Sequence, residues 1–145
     1  MVRKIAAAML GIVAAGLIVA ATEKLGHSVY PVPPDIDFRD PVQFGNYVEG
    51  LPIGAFIFVA GGWTSGTLGG GLLACFIARE RPFVYSAIVG GFILVATIAN
   101  LVMIPHPLWF SIGALIAIAL MTYFTGIIAS SQAFSGGDDQ SNHDH

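Results

Sequence analysis

The chain has 145 residues, of which 55% are hydrophobic and only 10% charged. Soluble domains carry about 25% charged residues, so this composition points to lipid as the solvent and excludes an ordinary water-soluble domain. The net charge of −3 is set by Asp138, Asp139 and Asp144 near the C-terminal end, and no basic patch exists to hold nucleic acid.

Four apolar stretches, residues 5–22, 53–78, 83–104 and 108–129, fill most of the sequence, and the last three contain no charged residue. Each reaches the length of about 18 or more residues with which a helix crosses roughly 30 Å of hydrocarbon. The expected fold is all-α, a bundle of four transmembrane helices in a multi-pass membrane protein. The first stretch follows Met1-Val2-Arg3-Lys4 and also matches a secretory signal, with Val19-Ala20-Ala21 as a cleavage site. Its apolar run exceeds the usual signal core of about 7–15 residues, which favours a retained helix.

Residues 23–52 form the one long loop. Tyr30-Pro31-Val32-Pro33-Pro34 is too rich in proline for a helix and should run extended. Asp40-Pro41-Val42-Gln43 then reads as a helix start, with Asp as cap, Pro at the first helical position and Gln closing a capping box. Phe44, Tyr47, Val48 and Leu51 follow at helical spacing, and Gly50 with Pro52 ends the segment. The expectation is a short amphipathic helix lying on the outer membrane surface, the alternative being a loop helix that covers the top of the bundle.

Arg79-Glu80-Arg81-Pro82 and Pro105-His106-Pro107 are short turns, so the last three spans pack as antiparallel neighbours. Arg3, Lys4, Arg79 and Arg81 share one side of the membrane, and only Lys24 and Arg39 lie on the other. Basic residues in short loops stay cytoplasmic, which places both termini inside and the 23–52 loop outside. Trp109 and Phe110 should fall at the outer interface. Residues 130–145 are expected to be a disordered acidic tail in the cytoplasm.

Helices in lipid associate through close packing, for which small residues are the means. The second span carries them at every fourth position, Gly62, Gly66, Gly70, Ala74 and Ala78. Ser65 and Gly69 run beside that row. Ala7, Gly11 and Ala15 repeat the pattern in the first span, Ser86 and Gly90 in the third, and Thr122, Gly126 and Ser130 in the fourth. The second span is thus the central helix, and its row packs within the monomer or, in part, against another subunit or membrane protein. The run 61–71 lacks the Gly-Lys-Ser/Thr ending of a phosphate loop and lies inside a full-length span, which excludes both a nucleotide site and a selectivity filter. Its Thr and Ser hydroxyls should bond to carbonyls one turn back. Cys75, the only cysteine, is expected to be a small packed hydrophobe.

The last three spans contain no ionisable residue of the kind that ion and proton transport leaves in a membrane, unless the thiol of Cys75 is counted. Small multidrug transporters are similar in size and rely on a carboxylate deep in their first helix. Here Glu23 lies roughly 27 Å along its helix at 1.5 Å per residue, at the outer boundary. There Glu23, His27 and Tyr30 share one face if the first helix continues, and Asn100 and His106 reach the same level. Two His, a Glu and an Asn have the chemistry to hold a divalent metal or form an acid–base pair. No second-shell partner or HExxH-type spacing accompanies them, which favours interfacial hydrogen bonding, Glu23 with His27 and the ring nitrogens with loop backbone. No metal or cofactor is called for. The His143-Asp144-His145 triplet is a weaker metal suggestion.

Glu23, Gly26-His27, Tyr30-Pro31, Leu51-Pro52-x-Gly54-Ala55, Gly69-Gly70 and Ile104-Pro105-His106-Pro107 resemble a group of small bacterial four-span membrane proteins of no assigned activity. The likeness covers about residues 5–129 and implies architecture alone, with the outer Glu, His and Pro residues part of the shared fold. The function expected from the sequence is non-enzymatic, an accessory or scaffold protein acting through helix packing. The alternative is a small transporter or lipid-handling protein with a polar site at the outer face.

Overall fold

A computed structural model describes residues 1–37 and 39–135. Those residues form five helices and no strand: α1 (Val2–Val29), α2 (Pro41–Glu49), α3 (Ile53–Ala78), α4 (Pro82–Met103) and α5 (Leu108–Ser135). All but α2 are long and apolar enough to cross a membrane. Between 17% and 39% of the most apolar window of each long helix is buried. The rest, including Ile5, Met9, Val13 and Leu17 on α1 and Ile112, Ile116 and Leu120 on α5, points outward as a continuous apolar surface. In water that surface would carry a prohibitive cost; in hydrocarbon it carries none.

Two helices outrun their apolar stretches. α1 continues through Glu23-Lys24-Leu25-Gly26-His27-Ser28-Val29, because nothing in that segment breaks a helix and the bonding ladder carries it past the apolar boundary. The long loop therefore starts at residue 30. α5 passes 129 and runs through Ser130 and Ser131, whose hydroxyls bond to Ile127 O and Ile128 O. The acidic tail and the His143-Asp144-His145 triplet lie outside the described residues.

α3 is the centre and touches α1, α4 and α5. Its small row faces α1 in antiparallel register, in which each four-residue step forward on α1 matches a four-residue step back on α3. At Gly66 an added Cβ would lie 2.9 Å from Ala15 O and 2.8 Å from Val19 Cγ2. At Gly70 it would meet Gly11 O and, at 2.6 Å, Ala15 Cβ; at Gly62 it would lie 3.3 Å from Thr22 Cβ. Ala7, Gly11 and Ala15 are the buried residues of α1, and Ala74 and Ala78 are fully buried on α3. The row thus packs inside the monomer. Lys4 Nζ closes one end of the pair on Glu80 Oε1 at 2.8 Å, and that bond holds the partly exposed Glu80 carboxyl below the usual carboxylate range.

The small pairs of α4 and α5 meet each other. Ser86 Oγ donates to Thr122 O, Gly90 lies against the Thr122 side chain, and Gly126 accommodates the Phe83 ring. Thr64, Ser65 and Thr67 bond to carbonyls one turn back, and the Cys75 thiol donates to Pro82 O at 3.2 Å. Among the described residues only Thr97 keeps a buried side-chain oxygen with no partner. The α3–α4 turn is sharp: Arg79 and Arg81 both adopt left-handed backbone, with φ of 54° and 44°. Each costs about 1–2 kcal/mol for a residue with a Cβ, a cost that a turn of three residues between antiparallel helices imposes.

These contacts set opposite expectations for two substitutions, read by denaturant unfolding in micelles. Gly66→Ile drives a branched side chain into the α1 backbone and should cost about 3 kcal/mol or more, with loss of folded monomer. Thr97→Val removes a hydroxyl that has no partner and should stay within about 1 kcal/mol of wild type. A Gly66→Ile protein of full stability that loses only an oligomer would contradict the intramolecular packing.

Candidate functional site

At the end of the bundle opposite Arg79, α2 lies with its apolar side turned to the long helices. Asp40 caps it, accepting from Val42 N at 2.9 Å and Gln43 N at 3.2 Å. Gln43 does not close a capping box. Its Oε1 accepts from Asp37 N at 2.6 Å, since the Asp40 amide already bonds Asp37 O. The side chain therefore ties the loop before α2 to its first turn. Val48 is buried, Phe44, Tyr47 and Leu51 pack on the core, and Gly45 sits against Pro105 of the α4–α5 turn.

Between α2 and the ends of α1, α3 and α4 is a partly open cavity of about 260 Å³. It brings together all five polar residues singled out in the sequence: Glu23, His27 and Tyr30 from α1 and its cap, Asn100 from α4 and His106 from the turn. The helical continuation of α1 makes this possible, because it sets Glu23 and His27 one turn apart on the same face. Sequence reasoning missed the rest of the wall. Phe44, Tyr47, Val48 and Leu51 come from the α2 side, and Ala55, Phe56, Phe58 and Val59 from the first turns of α3. The helical spacing of 44, 47, 48 and 51 is the signal in the sequence for that part of the wall.

Aromatic rings set the shape. Tyr30 meets Phe58 edge to face at 6.1 Å, and its hydroxyl end lies over Gly54, where a Cβ would collide with it. Phe44 stacks on Tyr47 at 6.2 Å. Phe110, expected at the outer interface beside Trp109, is instead 4% exposed. It packs on Phe56 at 5.0 Å and on Trp63 at 5.8 Å, while Trp109 stays on the surface. The two are neighbours on a helix, so about 100° of rotation sends one ring inward and leaves the other outside. A smaller apolar groove of about 150 Å³ runs between α3 and α5 and shares Phe56 with the cavity.

His106 Nδ1 lies 2.7 Å from Ile104 O. A carbonyl only accepts, so Nδ1 carries the proton and Nε2 of the neutral ring keeps its lone pair. The ring stacks on Phe110 at 5.3 Å. Glu23 and His27 do not bond each other, and the side chains of Glu23, His27 and Asn100 have no hydrogen-bond partner among the described residues. Nor does any group of three or more His, Cys, Asp and Glu among those residues converge to hold a metal ion.

Searches against protein-family models, curated proteins and solved structures give no match. The motif likeness to small bacterial four-span proteins therefore assigns no family, and the site is argued from its own residues.

Burial pushes the His106 pKa below its ordinary 6.5, against the opposing pull of the Ile104 carbonyl. The folded state thus favours the neutral ring. Its contribution is whole above the unfolded pKa and is lost as pH falls through that value towards the folded one. The melting temperature should drop between about pH 7.5 and about pH 5.5. His106→Phe, which keeps a ring on Phe110, should flatten that drop, whereas His27→Gln at the exposed rim should not. Equal slopes in wild type and His106→Phe would refute the assignment.

Proposed function

We propose that the chain is a small multi-pass protein of a bacterial inner membrane that binds an amphiphilic small molecule at the outer boundary of the bilayer. One observation carries the reading: polar residues as far apart in sequence as Glu23 and His106 line one cavity, and three of them have no hydrogen-bond partner among the described residues. Glu23 and Asn100 are half-buried and His27 is exposed at the rim, so water or a ligand's polar atoms supply the partners these groups lack. The apolar groove beside Phe56 offers an adjoining path for a hydrocarbon portion. Chemical conversion needs more than the site offers; binding, handling or transfer suits it. The long α1 is retained as the partner of the α3 glycines rather than cleaved.

The charge distribution supports the orientation. Arg3, Lys4, Arg79 and Arg81 gather at one end with Glu80, and the other end holds Glu23, Asp35, Asp37, Asp40 and Glu49 against Lys24 and Arg39. Basic ends stay in the cytoplasm, so α2 and the cavity face outward with α2 at the interface. In a Cys75→Ala background, a membrane-impermeant thiol reagent applied to intact cells should label Glu49→Cys and spare Arg81→Cys. The reverse pattern would overturn the sidedness.

A second reading, a scaffold that packs on other membrane proteins, draws on Gly16, Gly91 and Gly113, each of which has open space where a Cβ would project. Cross-linking in native membranes that yields only monomer would remove it. The cavity reading is tested by native mass spectrometry after gentle solubilisation. Wild type should retain a small amphiphile that Ala55→Phe, which fills the cavity, loses without losing its fold. A ligand at a hundredfold its Kd would also add about 2.7 kcal/mol of stability to wild type alone. Identical ligand retention by both proteins would sink the proposal.

A further inference from the structure

The cavity wall is one-sided in charge and rich in rings. Glu23 supplies a carboxylate, and no Lys or Arg lines the space. Tyr30 and Phe58 form one aromatic pair on the α1–α3 side, and Phe44 and Tyr47 a second on α2. The remaining polar contributions include acceptors: the Asn100 side-chain carbonyl and the Nε2 lone pair of neutral His106. Ring faces carry negative potential and attract cations, most strongly ammonium groups shielded from water. A carboxylate with aromatic walls and no Lys or Arg in the lining is the complement of an organic ammonium, and it repels a phosphate or sulfate head. The loop around it adds acidic residues, Asp35, Asp37, Asp40 and Glu49, which raise the local concentration of cations.

We infer that the amphiphile accepted by this cavity carries a positively charged ammonium head, held by Glu23 and the Tyr30, Phe58, Phe44 and Tyr47 rings. This deepens the cavity reading and rests on it. The opening beside Phe56 leaves the apolar part of such a molecule towards the α3–α5 groove.

Equilibrium dialysis of the full chain in neutral maltoside micelles, with three probes of one shape, tests the inference. The probes are benzyltrimethylammonium, its uncharged isostere neopentylbenzene, and benzylsulfonate. The ammonium should bind about tenfold more tightly than either of the others, a difference one partly shielded charge contact supplies. Glu23→Gln should abolish that preference and leave the isostere's binding unchanged. Should Glu23→Gln fail to fold, Tyr47→Leu on α2 serves, and it should weaken the ammonium more than the isostere. Equal binding of ammonium and isostere, or tighter binding of the sulfonate, with loss in Ala55→Phe, overturns the inference and leaves the cavity reading standing. Absence of binding by all three probes overturns both.

Discussion

Backbone contact between α1 and α3 is the constraint on which the rest of the molecule depends. In a bilayer two helices gain nothing from leaving the solvent, because the solvent is as apolar as they are. What remains is dispersion at short range, which falls away within an ångström of lost contact. Gly62, Gly66 and Gly70 remove the side chains that would hold the helices apart, and carbonyls of Ala15 and Gly11 sit where Cβ atoms would otherwise be. The register then runs unbroken from Lys4 beside Glu80 to Tyr30 over Gly54. A helix of 28 residues spans roughly 42 Å, so this single contact orders the whole thickness of the membrane.

The cavity follows from where that close packing stops. Beyond Gly62 the α3 residues that face the neighbouring helices become Val59, Phe58, Phe56 and Ala55, and the large ones hold the elements apart. Gly26 opposite Phe58 and Gly54 opposite Tyr30 absorb part of that bulk, which lets rings meet rings without splitting the pair. α2 then covers the opening with Val48 and its flanking rings, and Gln43 pins its approach to Asp37. Small residues close the bundle along most of its length, and aromatic ones open it at one end. The site is a consequence of side-chain volume along one helix.

Much of this was legible in the sequence because hydrocarbon thickness and short turns leave few choices. Apolar lengths gave the four long helices, and turns of three or four residues set their antiparallel order. A heavy run of small residues at four-residue spacing pointed to the α3 face. Heights were readable for the same reason, so Glu23, His27, Tyr30, Asn100 and His106 could be put at one level from distance along the chain. Rotation was not readable. Phe110 turns inward and Trp109 outward, though both are aromatic and adjacent, because the choice depends on Phe56 and Trp63 of another helix. Nor did the apolar boundary mark the end of α1. Glu23 and Lys24 are good helix formers, and a helix stops for want of hydrogen bonds rather than for want of lipid.

The distribution of unpaired polar groups separates a site from a packing defect. Along the helices every Ser and Thr hydroxyl described, apart from Thr97, donates to a carbonyl, and Ser86 reaches across to α5 to do so. Yet Glu23, His27 and Asn100, whose side chains offer more hydrogen-bonding capacity than a hydroxyl, have no hydrogen-bond partner among the described residues and share one cavity. Their meeting in one cavity, beside paired rings and with no Lys or Arg in its lining, leaves the Glu23 carboxylate available to a partner from outside the chain.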